Sequence, residues 1–278
     1  SQSTDAQEAA LLLLSELVSG SYSQQVLVQR QDLGSLLNQG LATPRLCAAA
    51  LSLVTEMVGA IDPSGYSDLQ TLLPKVEQAL KTLALSDQSA FEDCLQSLVA
   101  CVEMQAVFFK PRFREWVDLM LGFAGSRGSI EDGRRSLAFE FISTVAESKH
   151  KALLKAVPDL PQRALEMAFT FLSEVVEDDG WPSVDEDEEE DDDDSLHKDG
   201  EAKVDFFVKK LGFDITCKPL VALVQKYSSS DRWEGKVAAA MAIRASGEFV
   251  TDDIALDAMA ALLLQLAQDQ HMRVRYAA

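Results

Sequence analysis

The sequence predicts an all-α protein built from stacked pairs of helices. Apolar residues recur at i, i+3, i+4 and i+7, which is the spacing of one face of a helix. The alternation of apolar and polar residues that is typical of strands does not occur in the sequence. The apolar quartets also return at a regular interval, which indicates a helical repeat protein.

A first set of quartets marks one helix in each repeat, and its members begin 40, 45, 43, 66 and 35 residues apart. The members are Ala10/Leu13/Leu14/Leu17, Ala50/Leu53/Val54/Met57, Leu95/Leu98/Val99/Val102, Ala138/Phe141/Ile142/Val145, Val204/Phe207/Val208/Leu211 and Ala239/Ala242/Ile243/Ser246. A second set marks the other helix of each repeat and includes Leu69/Leu72/Leu73/Val76, Phe113/Trp116/Val117/Met120, Leu165/Ala168/Phe169/Leu172, Leu220/Leu223/Val224/Tyr227 and Leu256/Met259/Ala260/Leu263. Each repeat is therefore a pair of helices.

Two helices in about 40 to 47 residues is the period of HEAT and armadillo arrays, whose helix hairpins bury their apolar faces only by stacking. We therefore expect an α-α superhelix of the HEAT type with about six to seven helix pairs. The helix boundaries agree with this division. Thr43-Pro44 supplies an N-cap followed by proline at the first helical position, and the stretch from Ser129 to Asp132 resembles a capping box.

The single long step of 66 residues indicates an insertion, and the insertion is acidic. Glu174 to Asp194 contains 14 acidic residues and no Lys or Arg, and without this stretch the net charge changes from −20 to −6. We accordingly divide the chain into HEAT repeats over 1–175, an acidic inserted loop over 176–200, and HEAT repeats over 201–278 with the last one truncated. Because the pattern stops in mid-helix and the chain has no initiator Met, we expect a fragment of a longer array.

Enzymatic, metal-binding and cofactor-binding functions are not predicted. His150, His197 and His271 lack the spacing of a metal-binding or catalytic motif. The glycines between Gly122 and Gly128 follow a helix rather than a strand, so they indicate a turn and not a phosphate loop. The acidic stretch has no glycine at the place where a calcium loop requires one. We therefore expect no enzyme activity, no metal and no cofactor.

Membrane and nucleic-acid functions are also disfavoured. The longest apolar runs are seven residues, whereas a membrane-spanning helix needs about 18 or more. No cluster of Lys and Arg alternates with aromatic residues, and a net negative charge repels phosphate. The four cysteines show no C-x-x-C spacing, so we interpret Cys47, Cys94, Cys101 and Cys217 as reduced, buried residues of an intracellular protein.

The acidic loop is the strongest candidate for a binding site. Ten consecutive carboxylates cannot be buried without many counter-charges, so the loop is either only a solvated, solubilising segment or a site for a basic partner. A tryptophan and a proline next to the charge provide an apolar contact, and tryptophan is common at binding hot spots. The candidate partner-binding residues are Trp181, Asp185, Glu186, Asp187, Glu188, Glu189, Glu190, Asp191, Asp192, Asp193 and Asp194.

A second group of residues is predicted to be structural. Asp269 and Arg275 occupy the turn between helices and the start of the last helix, where HEAT proteins join neighbouring repeats through a ladder of hydrogen bonds. Asp231 and Lys236 occupy a similar place one repeat earlier. We call these four residues the repeat ladder.

Seven segments, in their order along the chain, resemble the importin-beta-type nuclear transport receptors, most closely the branch known as importin beta-three or importin five. The segments are Cys94-Leu-Gln-Ser-Leu-Val, Phe109-Lys-Pro-Arg-Phe, Arg135-Ser-Leu-Ala-Phe-Glu, Ala146-Glu-Ser, Trp181 with the acidic run, Ser230-Asp-Arg-Trp233 and Met272-Arg-Val-Arg-Tyr-Ala-Ala278. The resemblance covers about Asp93 to Ala278, while Ser1 to Gln88 matches only as generic helical repeat.

The resemblance implies a receptor fragment that shuttles between cytoplasm and nucleus and whose second helices line a concave, cargo-binding surface. The expected partners are basic cargo proteins, namely nuclear-localisation segments, ribosomal proteins or histones, the GTP form of Ran, and nucleoporins. RanGTP would release the cargo, and the acidic loop would meet the basic surface of Ran. Two alternatives stay open at this point: a phosphatase-type HEAT scaffold and an acidic histone chaperone.

Overall fold

The structure is a computed structural model, and it describes residues 2–20, 30–175 and 195–278. These residues form fourteen α-helices. The only β-type pairing among them is an isolated bridge between Arg127 and Ile130. The helices fall into two compact units, which comprise Ser1–Ala156 and Val157–Ala278. The predicted all-α class is confirmed.

Unit 1 contains eight α-helices in the part that the structure describes. They are α1 (Gln2–Ser19), α2 (Arg30–Ala42), α3 (Pro44–Ala60), α4 (Ser67–Gln70), α5 (Leu73–Ser86), α6 (Gln88–Gln105), α7 (Phe113–Ala124) and α8 (Asp132–Ala156), with a kink in α8 at Lys149. Helices α1, α3, α6 and α8 pack side by side in that order, and they contain the first four quartets of the first set. Helices α2, α5 and α7 form the second layer. Each of them packs against the next first-layer helix in the chain, which is α3, α6 and α8 respectively.

Unit 2 repeats the same arrangement. Its described helices are α9 (Leu160–Leu172), α10 (Leu196–Leu211), α11 (Phe213–Ser228), α12 (Trp233–Ser246), α13 (Asp253–Leu266) and α14 (Met272–Ala277). Helices α10, α12 and α14 pack in one layer, and α9, α11 and α13 pack in the other. This two-layer stacking is the arrangement that a HEAT-type repeat predicts.

Aromatic side chains from several elements form the centre of the core of unit 1. Phe109 lies in a 3₁₀-helix (Ala106–Arg112) and packs edge-on against Phe108, Trp116 and Phe141, with ring centroids 5.1 to 5.2 Å apart. Trp116 and Phe141 stack at 5.4 Å, and Tyr66 meets Phe108 at 5.6 Å. All five side chains are almost completely buried. The cluster joins this 3₁₀-helix, α7 and α8 to Tyr66, the residue that precedes α4.

The helix ends agree with the sequence analysis at one boundary and differ at another. Helix α3 begins at Pro44 as predicted, although the Thr43 hydroxyl donates to the Gln39 carbonyl at 3.0 Å instead of capping α3. The capping box predicted from Ser129 is wrong, because α8 begins only at Asp132. Ser129 lies in a tight turn after Gly128, whose φ of +75° favours glycine.

Candidate protein-binding site

The predicted partner-binding residues Trp181 and Asp185 to Asp194 lie outside the described residues, but both flanks of the acidic loop are described. On one side, α9 ends at Leu172 and the backbone N–H of Glu174 donates to the Phe171 carbonyl at 2.9 Å. On the other side, Ser195 precedes α10, which begins at Leu196. Residues 196–200, which the sequence analysis had placed in the loop, are therefore helical.

The two flanks lie close together because α9 and α10 cross at Gly200. A Cβ atom at Gly200 would lie 2.7 Å from the backbone nitrogen of Leu172, 2.8 Å from the carbonyl oxygen of Ala168 and 3.0 Å from Cβ of Phe171. Only glycine allows the two backbones to approach so closely. The end of α9 and the first turns of α10 thus form a fixed base from which the acidic loop leaves and to which it returns.

Basic side chains near this base are already engaged by carboxylates of α10. Arg244 on α12 forms a two-pronged contact with Glu201, with nitrogen to oxygen distances of 2.7 and 2.8 Å. This hydrogen bond with Glu201 raises the pKa of Arg244. Lys203, which is largely buried, lies 3.7 Å from Asp199. Both basic side chains are therefore paired with carboxylates of α10.

Further carboxylates line the N-terminal ends of α11 and α13 in the same unit. Asp214 and Asp253 are exposed in the first turns of these helices, and Asp252 caps α13 by accepting from Ala255 N–H at 2.7 Å. Burial raises the pKa of the Cys217 thiol, and the charges of Asp252 and Asp214 raise it further. Both carboxylates therefore lie close enough to Cys217 to disfavour its thiolate form.

Three of the four repeat-ladder residues come together in unit 2. Lys236 Nζ lies 2.6 Å from Asp269 Oδ2, and the His271 N–H donates to Asp269 Oδ1 at 2.8 Å. These contacts, led by the Lys236 hydrogen bond, lower the pKa of Asp269. Arg275 Nη1 donates at 2.8 Å to the carbonyls of Asp269 and Gln270. The group joins the start of α12 to the turn before α14.

Asp231 is the fourth repeat-ladder residue. It is exposed, and in the described part of the chain it forms no ion pair with Lys236. Asp231 lies two residues before α12 begins at Trp233, so the i, i+3 and i, i+4 contacts of a helix are not open to this pair. Lys236 instead reaches Asp269 in the next repeat.

Other ionic contacts between neighbouring first helices were not predicted from the sequence. Arg45 on α3 meets Asp5 on α1 at 2.5 Å, and Arg134 on α8 meets Glu92 on α6 at 3.1 Å. Opposite charges spaced by about one repeat period were the signal that could have revealed them. A ring contact also joins neighbouring repeats, because the rings of Trp233 and His271 stack with their centroids 4.4 Å apart.

Metal-ligand clusters and membrane-spanning helices are absent from the described residues. Those residues contain no group of three or more His, Cys, Asp or Glu side chains that could hold a metal ion. None of their helices is long and apolar enough to cross a membrane. The cysteines follow the prediction in part, since Cys47, Cys94 and Cys101 are buried and Cys217 is only partly so.

Comparison with known proteins gives a consistent set of relatives. No protein-family model matches the chain. Importin subunit beta-3 of Saccharomyces cerevisiae is 23% identical over 237 residues, which cover 81% of this chain and 21% of that protein. The crystal structure of Kap121p bound to RanGTP superimposes with a TM-score of 0.79 at 21% identity over 97% of this chain. The complex of Kap121p with Pho4p gives the same TM-score at 20% identity over 95% of this chain.

The chain has the fold of these karyopherins. The resemblance to importin-beta-type receptors is thus confirmed for the architecture, including the stacking of helix pairs on which the repeat period depended. The chain spans about a fifth of importin subunit beta-3 and 28% of the Kap121p chains. The similarity therefore concerns one segment of much longer proteins.

Proposed function

We propose that this chain is a segment of an importin-beta-type nuclear transport receptor that binds basic cargo proteins and the GTP form of Ran. The observation that supports the proposal best is the karyopherin fold over 97% of the chain, in a relative whose structures include a complex with RanGTP. Other structures of that relative contain Pho4p and the nucleoporin Nup53p. Cargo, Ran and nucleoporins are accordingly the partners we propose for this chain.

The charges of unit 2 support a basic partner. The acidic loop contributes ten consecutive carboxylates at 185–194, and its base is fixed by the crossing of α9 and α10 at Gly200. Arg244 and Lys203, two basic residues of unit 2, are already paired with Glu201 and Asp199. Lys and Arg side chains of a partner would therefore meet a field that attracts them and raises the rate of association.

Cargo release requires no covalent chemistry in this proposal. RanGTP and cargo would compete for overlapping acidic surface, so binding of one lowers the apparent affinity for the other. Trp181 would add an apolar contact beside the charge. A receptor that works in this way shuttles between cytoplasm and nucleus, which is the localisation we propose.

The two alternatives explain fewer of the observations. A phosphatase-type scaffold would share the helix pairs but has no need of the acidic loop. A histone chaperone would need the acidic loop but not the regular array. Both the fold and the loop are accounted for by the transport receptor.

The test is to replace the ten carboxylates of 185–194 by their amides, Asp by Asn and Glu by Gln, and to measure binding of RanGTP and of a Lys- and Arg-rich peptide by fluorescence anisotropy. We expect the affinity for the basic peptide to fall by roughly tenfold or more at low salt, and the salt dependence of binding to become flatter. The variant D93N/E103Q, with two exposed carboxylates of unit 1 neutralised, is the control and should change affinity little.

Equal affinity of the loop variant and the native chain at low salt would contradict the role of the loop. Pull-down with RanGTP in parallel with core histones separates the functions. Binding of histones without RanGTP would favour the chaperone, and binding of neither would favour a different scaffold.

A further inference from the structure

A short basic segment follows the kink in α8. Residues 148–158 contain no Asp or Glu, and their basic residues are Lys149, His150, Lys151 and Lys155. In the whole chain Asp and Glu outnumber Lys and Arg by 45 to 25, so this composition is opposite to the charge of the protein. The three lysines are exposed and the histidine is partly exposed. We call residues 148–158 the basic segment.

The kink separates the basic segment from the nearest carboxylate before it. Glu147 precedes Lys151 by four residues, which in a regular helix is a favourable spacing for an ion pair. Lys149 lies between them with φ −139° and ψ 32°, which are not helical dihedral angles. The i, i+4 register is therefore interrupted between Glu147 and Lys151, and the kink leaves the lysine without this partner.

Other basic side chains of unit 1 are paired. Arg45, Arg112 and Arg134 lie 2.5, 2.7 and 3.1 Å from a carboxylate oxygen of another helix. In the part of unit 1 that the structure describes, the three lysines of the basic segment form no ion pair. Their positive charge is therefore available to a partner.

The contacts of α8 itself do not account for the basic segment. Lys155 lies in the last turn, where the helix dipole favours a cation, but Lys149 and Lys151 precede that turn. Lys151 and Lys155 are four residues apart, and like charges at this spacing destabilise a helix. Leu153, midway between them, is completely buried, so the two lysines lie on the solvent side of the helix. A negative partner would relieve their repulsion.

We propose that the basic segment binds an acidic segment of another protein, in an extended conformation with a carboxylate at every second residue. Lys151 and Lys155 are about 6 Å apart along the helix axis, because an α-helix rises by about 1.5 Å per residue. In an extended chain, side chains two residues apart point to the same side and are separated by about 6.4 to 6.8 Å. Successive carboxylates of such a segment therefore match the two lysines. The surface is distinct from the one proposed for basic cargo, which it repels.

Two other anionic partners fit this surface less well. A nucleic acid is a long polyanion, and a chain with a net charge of −20 repels it beyond the few residues of the basic segment. The segment also contains no aromatic residue on which a base could stack. An anionic membrane binds more strongly where apolar side chains insert into it, and no large hydrophobic residue of 148–158 is exposed.

The experiment measures, by fluorescence anisotropy, binding of a labelled peptide of about ten residues with Glu at every second position and Ser between, at about 0.05 M salt. K149Q/K151Q/K155Q should bind this peptide roughly tenfold more weakly than the native chain, because three exposed charge pairs are lost. The matched control K81Q/K110Q/K209Q removes the same charge from exposed lysines elsewhere and should weaken binding by less than about twofold. Circular dichroism checks that both variants are folded.

Two further probes test the geometry and the class of partner. A peptide with the same number of Glu residues in one uninterrupted block should bind the native chain several-fold more weakly. A single-stranded oligonucleotide of equal charge and phosphatidylserine vesicles should also bind more weakly than the alternating peptide. The triple variant should bind the Lys- and Arg-rich peptide as the native chain does, so the result is independent of the role of the acidic loop.

Absence of peptide binding to the native chain at low salt would overturn the proposal. So would an equal loss of affinity in the control variant, or equal affinity for the blocked and alternating peptides. Tighter binding of the oligonucleotide or of the vesicles that depends on the three lysines would assign the surface to a nucleic acid or to a membrane instead.

Discussion

Replacing Gly200 by alanine tests whether the crossing of α9 and α10 fixes the base of the acidic loop. The added Cβ would lie 2.7 and 2.8 Å from two backbone atoms of α9 and 3.0 Å from Cβ of Phe171. Backbone atoms cannot rotate away as a flexible side chain can, so one helix has to shift. The shift would loosen the apolar contacts that the two helices share.

The magnitude follows from two opposing effects. Adding a methyl group to a tightly packed site costs about 1 to 3 kcal/mol. Replacing glycine by alanine inside a helix stabilises by about 1 kcal/mol. Because three atoms, two of them backbone, crowd the new Cβ, we place the packing cost at the upper end and expect a net loss of about 2 kcal/mol. In a domain of this size that loss lowers the melting temperature by roughly 4 to 8 °C.

Thermal unfolding followed by circular dichroism measures the effect, and Gly247→Ala is the matched control. Gly247 lies in the same unit, and a Cβ there would meet nothing within 4 Å. The control should change the melting temperature little or raise it slightly. A melting temperature of Gly200→Ala equal to or above that of the native chain would refute the crossing as described.

Two further substitutions test the core and the repeat ladder. Phe109→Ala should destabilise by about 3 to 5 kcal/mol in urea unfolding, because it removes the centre of the aromatic cluster, whereas Leu85→Ala, at an 89% exposed residue, should cost less than about 0.5 kcal/mol. Asp269→Asn should cost about 1 kcal/mol near neutral pH, and Asp231→Asn should have no measurable effect. Since the pKa of Asp269 is lower in the folded protein than its ordinary value of 3.8, its contribution is present above that pH and is lost as the pH falls through the folded value. The difference in stability between the native chain and Asp269→Asn should therefore shrink on acidification, and a constant difference would contradict the assigned contact.

The fold can be predicted from the sequence because the buried apolar residues of stacked helix pairs recur at a regular interval. All six quartets of the first set lie in α1, α3, α6, α8, α10 and α12, which pack as first helices in their own units. In the second set, the quartet that begins at Leu69 does not lie within one helix, because it spans the end of α4 and the start of α5. Thr71 and Leu72 keep helical dihedral angles between the two helices, so the apolar spacing continues although the helix is interrupted.

The candidate site is harder to predict because periodicity assigns a residue to a helix face but not to a partner. Lys236 and Asp269 are both predicted repeat-ladder residues, but their contact with each other depends on how the next repeat stacks. The close approach at Gly200 has no periodic signal either, because glycines of this chain such as Gly128 and Gly212 serve in turns instead. Both features depend on the distance between helices, which the sequence pattern does not contain.

The carboxylates that join neighbouring repeats differ from those that we propose bind a partner. Within the described repeats, carboxylates such as Glu92, Glu201 and Asp269 each contact a basic side chain of a neighbouring repeat. The stretch from Glu174 to Asp194 contains no Lys or Arg, and it accounts for 14 of the 20 excess negative charges. We therefore expect a basic partner to bind the acidic loop while these contacts between the described repeats stay in place. Raising the ionic strength from about 0.1 M to 1 M, which shortens the screening length from about 10 to 3 Å, should then abolish peptide binding while the melting temperature changes little. If melting temperature and binding fell together with salt, the ionic contacts between repeats would have to contribute far more to stability than partly exposed pairs normally do.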